Sequence, residues 1–167
     1  VTGAGAVVLG PTGAGPRVVS ATIGKIADMG LKDPFNMGAA IAPAAVDTIA
    51  AHFQDLAASP SDYDLIITGD LGRYGHQLTL ELFPKYHIDM PEEKYVDCGM
   101  MIYSREQPMR FAGGSGCACS AVVVFGHILN RMRRGELKKV LIVATGALLS
   151  PLSYQQKESI PCIAHAV

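Results

Sequence analysis

The chain has 167 residues, enough for one domain that buries roughly 70 % of the surface its unfolded form exposes. Apolar residues make up 49 % and charged residues 17 %, a balance that excludes a disordered or fibrous chain and suits packed α/β layers. The formal net charge is -1, and the longest basic cluster is Arg131, Arg133 and Arg134. That reads as a solvated helix end and excludes the electrostatic footprint of a nucleic-acid binder.

No apolar run approaches the roughly 18 residues a membrane-spanning helix needs, and the first residues do not resemble a signal peptide. The chain opens on Val1 without an initiator Met, and the apolar pattern starts at once. The expectation is therefore a fragment or processed half of a longer protein. The four cysteines, Cys98, Cys117, Cys119 and Cys162, show neither the paired knuckles of a zinc site nor the density of a disulfide scaffold. Reduced, mostly buried thiols in a cytosol-like compartment follow, with no metal or cofactor implied.

In chain order, residues 4–9 and 17–23 are β-branched runs separated by a Gly/Pro-rich loop, which predicts two strands and an antiparallel start. Residues 38–56 place Ile41, Ala45, Ile49, Phe53 and Leu56 at helical spacing, with Pro43 in the first turns. Residues 65–68 form a short apolar run between polar flanks, the pattern of a buried strand feeding a loop. A second helix is expected over 75–86. Residues 86–112 show no sustained period and read as one long connection, the kind that shapes sites or interfaces.

The segment 117–134 predicts a helix whose first half has no wet face, since Ala118, Ala121, Val122, Val123, Val124 and Phe125 are consecutive or nearly so. A helix hydrophobic all round must be covered all round, which implies another layer. Gly135 fits its stop. Residues 138–145 predict an apolar strand, and 159–167 a fifth. No internal repeat, linker or low-complexity tract is present, so residues 1–167 read as a single domain.

The string Gly113-Gly114-Ser115-Gly116-Cys117-Ala118-Cys119-Ser120-Ala121, the helix after it, Met132-Arg133-Arg134-Gly135 and the strand ending Thr145-Gly146-Ala147 resemble the second half of thiolases and ketoacyl synthases. Three further strings, at 28–40, 67–72 and 159–167, resemble more specifically the stage V sporulation AD family of spore-forming bacteria, and together they cover essentially the whole chain. The resemblance implies an α/β thiolase-like fold of two similar halves whose sheets sandwich a pair of helices. This chain is then the carboxyl-terminal half, a mixed five-stranded sheet with helices on both faces.

Acyl transfer on that fold needs a cysteine nucleophile, a proton-accepting histidine and a second histidine or asparagine at the oxyanion. The resemblance places the nucleophile in the absent amino-terminal half. It aligns the catalytic His-Pro or Asn of the family with Gly114-Ser115, and the other histidine with Gly69-Asp70, so both positions are vacated and no catalytic residue is expected. What remains is backbone: Gly113, Gly114 and Gly116 permit positive φ ahead of a helix amino-terminus that favours an anion. The same glycines equally suit close packing of helix on sheet. Asp70 is a candidate to pair a bound cation or to cap the next helix, and His165 to form a second wall of the pocket or to be an ordinary core histidine.

The resemblance further implies a non-catalytic protein that binds dipicolinic acid, free or as its calcium chelate, for uptake into the developing spore. The expected site residues are Asp70, Gly113, Gly114, Ser115, Gly116 and His165. The expected partners are the amino-terminal thiolase-like half, membrane channel proteins of the same operon, and a second copy in a homodimer of the full-length protein, on the cytoplasmic side of the spore inner membrane. The rival reading is a condensing acyltransferase with its cysteine upstream.

Overall fold

The computed structural model describes residues 1–104, 106–107 and 111–167. Five strands form one mixed sheet: β1 (Thr22–Ile23), β2 (Leu65–Thr68), β3 (Tyr95–Asp97), β4 (Val140–Ala147) and β5 (Cys162–Ala166), in the spatial order β1-β5-β4-β2-β3. β2 runs parallel to both β3 and β4, while β5 is antiparallel to β4 and to β1. The α/β class and the five-stranded mixed sheet are as the sequence predicts.

The period-2 pattern of the central strands assigns each residue a face. Ile66, Leu141, Val143, Ala164 and Ala166 pack under α1 (Met37–Asp55) and α2 (Gly72–Leu82), with Ile41, Ala45, Ile49 and Phe53 of α1 supplying the apolar stripe. Leu65, Ile67, Val140 and Ile142 face the other way. They are covered by α3 (Cys98–Ile102) and by one continuous helical rod made of α4 (Ala118–Val123), a π turn at Val124–Ile128 and α5 (Leu129–Arg133). A short helix α6 (Pro151–Gln155) connects β4 to β5. Pro43 lies in the second turn of α1, where its missing N–H removes one bond of the helical ladder.

Two sequence expectations fail. Residues 4–9 form no strand and are exposed, and of 17–23 only Thr22 and Ile23 enter the sheet, antiparallel to β5 and with no strand before them. β-branched composition makes a strand only where a hydrogen-bonding edge is available. Here the chain's start instead rests on the helical rod, where a Cβ on Gly5 would come within 2.7 Å of the Ala121 carbonyl. The expected long connection 86–112 also conceals β3 and α3. β3 is only three residues long, too short to show a period.

The rod is covered less completely than its composition implies. Val123 and Val124 are buried, whereas Ala121, Val122 and Phe125 are half-buried. On the same side of the sheet the β1–β5 half is open: Ile23 is 88 % exposed and its register partner His165 is exposed too. No helix among the described residues is long and apolar enough to cross a membrane.

Candidate functional site

The carboxyl end of β2 leads through Gly69 into a tight turn at 70–72, and a parallel neighbour, β3, ends beside it at Asp97. Crevices outside the carboxyl ends of strands are where open α/β sheets bind ligands. The glycine-rich loop arrives at the same place. Gly113, Gly114 and Gly116 have φ of 74°, 77° and 98°, the left-handed region that only glycine adopts freely.

The three glycines differ in what surrounds them. A Cβ on Gly113 would lie 2.5 Å from the Asp70 carbonyl oxygen, so this glycine is required for close backbone packing. At Gly114 it would lie 3.0 Å from Met37 Cγ, and at Gly116 it would meet nothing within 4 Å. Gly116, at the head of α4, therefore faces open space.

Asp70 does not cap α2, whose N-cap is Leu71 without a side-chain cap bond. Its carboxylate turns to the loop and accepts the Ser115 N–H at 2.6 Å and also the Ser115 hydroxyl. Asp70, Gly113, Gly114, Ser115 and Gly116 thus converge. No group of three His, Cys, Asp or Glu side chains able to hold a metal exists among the described residues.

His165 does not join them. It sits on β5 opposite Ala144 of β4, two strand spacings or about 10 Å from β2. Its Nδ1 accepts the Gly24 N–H at 3.1 Å, so it ties β1 to β5. It is exposed rather than a core histidine, and among the described residues it makes no hydrogen bond to the glycine loop.

Between sheet and rod lies a cavity of about 140 Å³, lined by residues that include Gly69, Cys98, Ser120, Phe125, Ile142 and Ala144 and by none of 113–116. Small-molecule pockets are commonly of the order of 300–1,000 Å³, so this space is a partial pocket, apolar and open to one side. The rod's π turn contributes Val124 and Phe125 to it; such turns recur at functional sites.

The thiols around the cavity are poor nucleophiles. Burial pushes Cys119 up to about 11, and burial also drives Cys98 far above the ordinary thiol range, with Asp97 nearby adding to the effect. Both are protonated at neutral pH. Cys162 is likewise buried and pushed up to about 11, and only Cys117 is exposed.

Sequence reasoning missed Asp97. It is fully buried, caps α3 through the Gly99 and Met100 N–H groups, and also accepts from Thr68 and from the Leu71 and Gly72 backbone. An Asp immediately before a helical Cys-Gly is an N-cap signal, but without the strand before it the signal had no context. His52 and His76 are hydrogen-bonded core histidines, bonded to Thr22 and Tyr63 and to the Tyr95 carbonyl respectively.

The chain matches the family described as Stage V sporulation protein AD (SpoVAD) over residues 1–167. It is 52 % identical over 167 residues to the stage V sporulation protein AD of Bacillus subtilis (strain 168), covering 100 % of this chain and 49 % of that protein. The chain thus spans about half the length of the curated relative it matches. Matched from its first residue to its last, the chain belongs to the stage V sporulation protein AD family.

Proposed function

We propose that this chain is the carboxyl-terminal, thiolase-like half of a non-catalytic sporulation protein that binds dipicolinic acid for its uptake into the developing spore. The observation that carries the reading is the Asp70–Ser115 lock. Where thiolase-fold enzymes keep a histidine or asparagine, this chain keeps a glycine loop shaped by a carboxylate. A planar dicarboxylate suits what remains: one carboxylate at the open Gly116 end of the loop, ahead of the helical rod and its dipole, and the ring against the apolar cavity.

The partial pocket calls for a further wall. The exposed β1–β5 sheet face, with Ile23 and His165, is the surface on which the amino-terminal half would pack, as sheet-forming halves bury their apolar faces on one another. The channel proteins of the operon, a homodimeric full-length protein and a peripheral position at the spore inner membrane belong to the same proposal.

Calorimetric titration of the full-length protein with dipicolinate, free and calcium-loaded, tests it. Saturable binding that Gly114→Asp abolishes is the expected result, because the substitution adds a side chain and a like charge where the ligand carboxylate comes close. Unchanged affinity in Gly114→Asp would put the pocket elsewhere. Acetoacetyl-CoA cleavage or malonyl-dependent condensation above background would instead favour a condensing enzyme.

A further inference from the structure

Asp97 takes no part in the loop itself, yet its carboxylate joins the elements that frame it. Oδ2 accepts the Thr68 hydroxyl at 2.7 Å and the Leu71 N–H at 2.9 Å; Oδ1 accepts the N–H groups of Gly72 at 3.1 Å, Gly99 at 3.0 Å and Met100 at 3.4 Å. Five donors from β2, the 70–72 turn and α3 therefore converge on one fully buried carboxylate. Burial drives its carboxyl up from the ordinary range, the Leu71, Thr68 and Gly72 hydrogen bonds oppose that, and Asp70 adds to the rise. A capped three-residue strand end does not by itself need so costly a group.

The turn that Asp97 grips is in backbone-to-backbone contact with the glycine loop. A Cβ on Gly72 would lie 2.5 Å from the Gly113 nitrogen, and one on Gly113 would lie 2.5 Å from the Asp70 carbonyl. The Tyr74 N–H adds a hydrogen bond to the Phe111 carbonyl at 2.9 Å. A shift of the turn by a few tenths of an ångström must move the loop, because no side chain lies between them to absorb it.

We infer that Asp97 is the positioning residue of the loop site: by fixing the 70–72 turn it sets the reach of Asp70 to Ser115 and so the shape of the Gly113–Gly116 cradle. The ligand consequence rests on the proposed dipicolinate reading; the positioning itself does not.

The test uses the full-length protein, the variants Asp97→Asn, Thr68→Val and Tyr63→Phe, and two readouts. Asp97→Asn turns one oxygen into an NH₂ group that faces backbone donors, and Thr68→Val removes a single donor should the first variant fail to fold. Tyr63→Phe is the control, since it removes the hydrogen bond to His52 just before the amino end of β2, at the far end of that strand from Thr68. Without ligand, the amide resonances of Gly113 and Ser115 are expected to move in Asp97→Asn and, less, in Thr68→Val, and to stay in place in Tyr63→Phe. With dipicolinate, Asp97→Asn is expected to lose about tenfold in affinity, the scale of one hydrogen bond to a charged group, while Tyr63→Phe loses none. Unmoved Gly113 and Ser115 amides in the folded variants, or equal movement in Tyr63→Phe, would overturn the inference. If the amides move as stated but the wild-type protein ignores dipicolinate, the ligand assignment fails and the positioning role stands.

Discussion

Ser115 gives both its backbone N–H and its hydroxyl to a single oxygen of Asp70, which lies 45 positions earlier in the chain. The pair joins the β2–α2 turn to the glycine loop and is only partly buried. Ser115→Ala keeps the N–H bond and is expected to cost about 1 kcal/mol, whereas Asp70→Ala strands both donors and is expected to cost about 2–3 kcal/mol. Urea unfolding followed by circular dichroism measures both. Equal stabilities for the two variants would mean that the hydroxyl carries the whole contact.

Gly114 combines a φ of 77° with a near neighbour, Met37. Gly114→Ala is expected to lower stability by about 1–3 kcal/mol, the cost of a side chain in the left-handed region, with little added by the flexible Met37. Gly116→Ala meets open space and carries the backbone strain alone. Thermal unfolding of the two variants separates the terms: a Gly116→Ala protein as stable as wild type would show that the loop tolerates a relaxed φ there.

What the sequence revealed and what it hid follow from burial. Leu65–Thr68 was legible to the residue because all four of its residues are buried, so the run is unbroken by polar positions. The apolar stripe of α1 and the runs that became β4 and β5 were legible for similar reasons. The strand expected over 4–9 failed because its residues have the composition of a strand but no edge to pair with. The site divided in the same way. Glycines with positive φ announce themselves, and Asp70 stood next to one, but the Asp70–Ser115 bond and the five donors on Asp97 join segments far apart in sequence. His165 is expected at the pocket by resemblance alone, and the strand order sets it two strand spacings from β2, beside Ala144 of β4.

The thiols offer a chemical check on the proposed non-catalytic reading. Cys98, Cys119 and Cys162 are buried and raised above the ordinary thiol range, and Cys117 is exposed. Brief iodoacetamide treatment of the native chain at neutral pH is expected to place a single adduct on Cys117, read by peptide mass spectrometry. Rapid alkylation of Cys119 would indicate a thiolate beside the loop and reopen the acyltransfer reading.

Stability should depend on pH through His52. Its imidazole is buried between the Thr22 hydroxyl, 2.8 Å from Nδ1, and the Tyr63 hydroxyl, 2.7 Å from Nε2. Burial holds its pKa below the ordinary histidine value, and Lys139, stacked over the Tyr63 ring at 4.4 Å, lowers it further, while Asp55 acts the other way. The unfolded chain therefore binds a proton at a higher pH than the folded one. Between those two values the unfolded state carries more protons, so stability rises with pH there. The contribution is complete above about 6.5, the unfolded value. It is lost as pH falls from there through the folded value, at about 1.4 kcal/mol for each unit separating the two. Asp97 has the opposite sign, because its raised carboxyl favours the folded state at acid pH, but that term is common to any pair of proteins differing only at His52. Unfolding midpoints of wild type and His52→Gln from pH 8 to pH 5 are the measurement. His52→Gln is expected to be less stable at pH 8, where it loses one of two buried hydrogen bonds, and to lose less on acidification, so the two curves converge. Lys139→Met should flatten the wild-type slope by raising the His52 pKa toward its unfolded value. Parallel curves for wild type and His52→Gln across this range would show that the histidine keeps the same protonation in both states.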